Sequence, residues 1–186
     1  MNKQKTALLF PGQGSQFVGM GKDLYSDYME AKAVFDEVDE ALGEKLSKMI
    51  FDGPIDQLNL TFNTQPAIMA ASVAAFRVLS KRVGLNVEDM ASIVAGHSLG
   101  EYSAHAVAGT FTLADTARLL RARGNAMQSA VPVGKGGMVA LVGCDIEKAN
   151  NICKDGSDHG LCQIANDNGA GQVVISGAVE AMQYVV

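Results

Sequence analysis

The sequence predicts an α/β fold built on a parallel sheet, with a smaller α+β unit toward its C-terminal end. Three observations predict it. Ala7 to Phe10 and Ser92 to Ala95 are short continuous apolar runs closed by Pro11-Gly12 and by Gly96, the pattern of buried parallel strands. Amphipathic helical segments lie between them. Beyond residue 132 the expected order becomes β-α-β-β-α, a ferredoxin-like arrangement. The reading divides the chain into a large subdomain, 1–132, and a small, incomplete one, 133–186.

Pro11-Gly12-Gln13-Gly14-Ser15-Gln16 follows the first strand as a polar loop. It lacks the Gly-Lys-Ser/Thr ending of a phosphate-cradling loop. An ordinary connection and a loop whose backbone N–H groups point into a site both fit it. Tyr28 to Leu42 predicts a helix burying Ala31, Val34, Phe35, Val38 and Leu42, ended by Gly43. Gly53-Pro54 is a turn. Thr64 is the expected N-cap of a long apolar helix that has Pro66 in its first turn and runs to about Gly84.

Thr112, with Asp115 three residues on, resembles a capping box and opens another helix. At ~100° per residue, Leu113, Ala117, Leu120, Gly124 and Met127 cluster, and Arg118 and Arg121 fall on the opposite, polar side. Arg123 falls inside the apolar arc. A charge there needs a partner or a cavity, since burying it alone costs several kcal/mol by rough estimate. A structural salt bridge, a stem reaching to water and a fork for a ligand carboxylate are the available readings. In the small subdomain, Met138–Val142, Leu161–Ala165 and Gln172–Ser176 are the expected strands. Ile146–Cys153 and the segment from Ala178 are the expected helices. The sequence stops at Val185-Val186 within that last helix, without a cap or polar tail; the expectation is a chain that continues.

With 186 residues, 48% hydrophobic and a net charge of −5, the chain offers no general nucleic-acid footprint. Cys144, Cys153 and Cys162 form no CxxC pair, so free thiols in a reducing compartment are expected. The apolar run after the N-terminus is too short for a signal peptide, and no stretch approaches a membrane span. A cytoplasmic protein without membrane or nucleic-acid partners is the expectation.

The chemistry-bearing stretch is Gly96-His97-Ser98-Leu99-Gly100, between a strand and the start of a helix. This is the nucleophile-elbow pattern, with Ser98 at a helix N-terminus that favours an oxyanion. A serine needs a base. His97 is adjacent and should diverge on a sharp turn. His105, seven residues on, lies ~10.5 Å along the helix axis. His159 sits in a loop of the small subdomain. The base is therefore expected beyond residue 186, or the mechanism is unusual.

Taken together, Phe10 to Gln16, Thr64-Gln65-Pro66-Ala67, Gly96 to Ala104, Arg123-Gly124 with Met127-Gln128, and Gly171 to Gly177 resemble the malonyl-CoA:acyl-carrier-protein transacylases, in order and spacing, across essentially the whole chain. The resemblance implies an α/β-hydrolase-like (patatin-like) large domain with a partial ferredoxin-like subdomain. It implies transfer of a malonyl group from malonyl-CoA, through a malonyl-serine, to the phosphopantetheine thiol of acyl carrier protein in fatty acid biosynthesis. Ser98 is then the nucleophile, and the backbone N–H groups of Gln13 and Leu99 form the oxyanion hole. Arg123 binds the substrate carboxylate. Gln65, His97, Met127 and Asn168 correspond to the acyl pocket. Leu99 is similar to the residue of malonyl-selective members. No metal or redox cofactor is implied, and the complete protein is expected to be a monomer. Members of the family are longer, and their general-base histidine lies past the part matched here. A serine esterase or patatin-like lipase, and a catalytically incomplete fragment, are the alternatives.

Overall fold

The computed structural model describes residues 6–132 and 134–186. Val133, where the sequence reading begins the small subdomain, lies outside them. The chain divides into two units, Met1–Gln128 and Ser129–Val186.

In the first unit, β1 (Ala7–Phe10) and β2 (Ile93–Gly96) pair in parallel, with Ala7 opposite Ile93 and Phe10 opposite Gly96. The helices are α1 (Lys22–Asp27), α2 (Met29–Leu42), α3 (Leu46–Asp52), α4 (Ile55–Leu58), α5 (Thr61–Val83), α6 (Val87–Met90), α7 (Leu99–Val107) and α8 (Leu113–Ala130), whose last two residues fall in the second unit. α5 is the central element: Ala67–Ala70, Val73, Ala74 and Val78 are buried along it. It packs against α2, whose Ala31, Val34, Phe35 and Val38 form the apolar face that the periodicity predicts. Gly43, at φ 67°, ends α2 as a left-handed cap. Phe35 and Phe51 meet at 4.9 Å, joining α2 to α3.

Two expectations about this unit change. The strands are not buried on both faces. Leu8, Phe10 and Val94 join the core, but Leu9 is 76% and Ile93 62% exposed, because helices cover one face of this two-stranded sheet. Thr64 is not an N-cap. α5 begins at Thr61 behind Leu60, so Thr64 lies inside the helix, fully buried, where its hydroxyl donates to the Leu58 carbonyl at 2.6 Å. That local bond competes with capping as a use for the hydroxyl. Pro66 accordingly lies beyond the first turn.

The second unit contains β3 (Gly136–Val142), α9 (Ile146–Gly156), a 3₁₀ turn at Ser157–His159, β4 (Cys162–Asp167), β5 (Gln172–Ala178) and α10 (Val179–Tyr184). β5 lies between β3 and β4 and runs antiparallel to both, with a bulge between Ile164 and Asn166. Asp145 caps α9 by accepting from the Lys148 N–H at 2.8 Å. Ile175, Cys153, Cys162, Ala181 and Met182 form its core. All three cysteines are free and buried. Burial and the neighbouring Cys162 push the Cys153 thiol up to about 11. Among the described residues, no helix is long and apolar enough to cross a membrane.

Candidate active site

The turn from β2 into α7 is held from both sides. The His97 N–H donates to the Phe10 carbonyl at 3.1 Å, and the Gly100 N–H donates back to His97 at 2.8 Å. Gly100 admits no side chain: a Cβ there would collide with the Phe10 carbonyl and lie 2.8 Å from the Pro11 oxygen. Ser98 is left at φ 54°, ψ −111°, immediately before the first residue of α7. That conformation is sparsely populated for a residue with a side chain. It leaves the serine exposed, with buried Leu99 opening the helix behind it. The Leu99 N–H belongs to the first turn, where helix amides lack an intrahelical acceptor.

The loop after β1 passes directly beside this turn. A Cβ on Gly12 would come 2.5 Å from His97 Nδ1 and 3.0 Å from its carbonyl, so a side chain there would have to displace the His97 ring. Gln13 follows, its side chain donating to Thr61 Oγ1 at 3.5 Å. Gln16 accepts from the Gly14 N–H at 2.8 Å and donates to Asn59 Oδ1 at 2.8 Å. Side chains from the α4–α5 connection thus pin the loop. The loop runs beside the elbow at Gly12, one residue before Gln13, and Leu99 follows Ser98 directly as the first residue of α7.

Arg123, on α8, reaches Ser98 across 25 residues of sequence. Its Nη2 donates to Ser98 Oγ at 3.0 Å and its Nη1 to Gln65 Oε1 at 2.6 Å. Gln65 is fully buried on α5 and donates its Nε2 to Met127 Sδ at 3.3 Å. Four expected site residues, Ser98, Arg123, Gln65 and Met127, therefore form one hydrogen-bonded chain. The Arg123 guanidinium also stands 5.9 Å from the Tyr102 ring centroid, near the outer limit of a cation–π contact. The sequence reading did not single out Tyr102. Its signal was its place four residues after Ser98, one helical turn along.

The α8 pattern needs two corrections. Arg121 is not on a solvated face. Its side chain is 17% exposed, pairs with Glu44, and donates to Asn63 Oδ1 at 2.6 Å. Burial lowers its pKa, and Glu44 opposes the shift. Glu44 and Asn63, far away in sequence, made that partnership invisible to periodicity. Conversely, Met127, expected on the apolar side, is 45% exposed, and Leu119, on the same stripe, is 44% exposed. The 119–123–127 stripe therefore lies outside the packed core, and Arg123 on it faces the serine.

The remaining expected residues lie as follows. Asn168 belongs to the second unit, in the β4–β5 turn, where its Nδ2 donates to Gln172 Oε1 at 2.9 Å. His105 packs against Phe111 at 5.0 Å and His159 stacks on Tyr184 at 4.0 Å between ring centroids. Among the described residues, no group of three or more His, Cys, Asp or Glu side chains could hold a metal ion.

Residues 7–186 match the acyl transferase domain family; the chain belongs to that family. It is 45% identical over 180 residues to a malonyl CoA-acyl carrier protein transacylase of Bacillus subtilis (strain 168), covering 96% of this chain and 55% of that protein. Among solved structures, it is similar to an acyl-carrier-protein-S-malonyltransferase from Bartonella henselae. That match has 58% identity and TM-score 0.90, and covers 98% of this chain and 58% of that one. A malonyl-transacylase in complex with a type II PKS acyl-carrier protein matches at 41% identity and TM-score 0.86, with 98% and 58% covered. The chain thus spans somewhat over half the length of each of these relatives.

Proposed function

We propose that the chain is the nucleophile-bearing portion of a malonyl-CoA:acyl-carrier-protein transacylase of fatty acid biosynthesis. The observation that carries the proposal is the guanidinium of Arg123 within 3.0 Å of Ser98 Oγ, at a strained strand-to-helix turn. Ser98 Oγ attacks the thioester carbonyl of malonyl-CoA. The resulting oxyanion is received by the N–H groups of Gln13 and Leu99, each worth on the order of 3 kcal/mol. CoA departs as its thiol, leaving a malonyl ester on Ser98. The phosphopantetheine thiol of acyl carrier protein then attacks that ester, and the serine regains its proton. Arg123 exchanges its bond to Ser98 for a bidentate pair with the malonyl carboxylate.

A guanidinium cannot accept the serine proton. The proposal therefore places the general base in the part of the relatives' length that this chain does not span. In this reading His97, beside the nucleophile in the first unit, lines the acyl pocket. The elbow supports a patatin-like first unit. A β5 strand antiparallel between β3 and β4 supports a ferredoxin-like second unit. Three free thiols support a cytoplasmic setting, and the reading takes the complete enzyme as a monomer.

Ser98→Ala in the full encoded chain is expected to abolish acyl-enzyme formation from radioactive malonyl-CoA; retained labelling would refute the assignment. Arg123→Ala is expected to lower malonyl transfer by roughly 100-fold or more while acetyl transfer holds or rises. Equal loss on both substrates would make Arg123 structural. Hydrolysis of p-nitrophenyl esters exceeding malonyl transfer would favour an esterase, a class whose neutral substrates give Arg123 no partner.

A further inference from the structure

Gln65 is a fully buried amide in contact with a cation. Its two ends face groups of opposite hydrogen-bonding character. Arg123 offers only donors, whereas the Met127 thioether offers only an acceptor. Turning the amide over would set its NH₂ against the guanidinium N–H and its carbonyl against the sulfur lone pairs. The pair of neighbours therefore dictates one orientation, with Oε1 toward Arg123 and Nε2 toward Met127, as observed at 2.6 and 3.3 Å.

The amide is also neutral. None of the ion pairs among the described residues involves Arg123, although Arg121, two positions earlier on the same helix, pairs with Glu44. A carboxylate at position 65 would satisfy the guanidinium internally and leave less of its charge for a ligand. An amide holds the fork in place through Nη1 and leaves that charge uncompensated beside Ser98.

We propose that Gln65 and Met127 act together as a charge-neutral tether: Met127 fixes the amide of Gln65, and Gln65 aims Arg123 at the acyl group carried by Ser98. Both are positioning residues, and their effect is selectivity for a carboxylate-tailed acyl chain. The selectivity part rests on the acyl-transfer reading given above. The aiming part rests on the contacts alone.

The test uses the full encoded chain with Gln65→Glu, Met127→Leu and Met127→Gln, in two measurements. The first is kcat/KM for malonyl-CoA against acetyl-CoA. Gln65→Glu is expected to cut the preference for malonyl-CoA at least about tenfold, mainly through KM, by pairing internally with Arg123. Met127→Leu keeps the volume but removes the acceptor, and is expected to cut it about threefold. Met127→Gln supplies a carbonyl acceptor and is expected to restore it. The second measurement is side-chain ¹⁵N NMR of Arg123, where a tethered Nη1 gives distinct, slowly rotating N–H signals. These are expected in the wild type and lost in Met127→Leu. Freely rotating signals in the wild type, or a preference unmoved by Gln65→Glu, would overturn the tether. A wild type that shows the restricted signals but no malonyl preference would overturn the acyl-transfer reading and the selectivity claim, and leave the aiming claim standing.

Discussion

Ser98 holds a positive φ that costs about 1–3 kcal/mol for a residue with a side chain, and its neighbours impose it. Phe10 binds the His97 N–H, and Gly100 lies too close to Phe10 for any other residue. Ser98→Gly is expected to remove the nucleophile and raise stability by about 1 kcal/mol, read as a higher urea midpoint. An unchanged or lower midpoint would mean that the turn is unstrained. Gly100→Ala is expected to cost about 3 kcal/mol, because the opposing atoms are backbone and cannot swing aside. The pentapeptide made the elbow legible, since its two glycines and one serine are local chemistry. Arg123 was legible only as an anomaly, a charge on an apolar arc. Its bond to Gln65, 58 residues away, was not, because no local pattern encodes which helices cross.

At the scale of elements, long helices were readable and short ones were not. α2 and α5 span several turns, enough for a 3.6-residue period to emerge; α1, α3, α4 and α6, at four to seven residues, complete at most two turns. One bond pattern ties such a piece down. Asp39, 3% exposed at the end of α2, accepts from the Ser47 N–H at 2.9 Å and the Ser47 hydroxyl at 2.6 Å, at the start of α3. Asp39→Ala would strand both donors and is expected to cost about 2–3 kcal/mol in chemical denaturation. A loss below 0.5 kcal/mol, by rough estimate, would show that α3 is held by Leu46 and Ile50 alone. In the second unit, the raised pKa of Cys153 keeps its thiol protonated through pH 7 to 9. Native Cys153 is expected to alkylate much more slowly than in urea over that range, and equal rates would contradict the buried placement.

For the whole molecule, the strand pair exposes one face. Leu9 and Ile93 stand out on it, with Ala7 and Ala95 exposed between them. An uncovered apolar sheet face promotes association. Residues 1–186 expressed alone are expected to self-associate in light scattering, and Ile93→Lys to reduce this. Association unaffected by that change would place the adhesive surface elsewhere. A run of four hydrophobic residues carries no record of how many layers cover it, and in this chain, which spans somewhat over half of its relatives' length, helices cover one face. Family membership was the most legible property of all, because it was written in motif spacing across nearly the whole chain and required no knowledge of packing. We propose that Ser98 carries a malonyl group selected by Arg123. Mass spectrometry of peptides from the full encoded chain, after brief exposure to equal malonyl-CoA and acetyl-CoA, tests it most directly. The expected result is a malonyl adduct on the peptide bearing Ser98, replaced by acetyl in Arg123→Ala. An unmodified Ser98 peptide, or malonyl attached to a different residue, would contradict it.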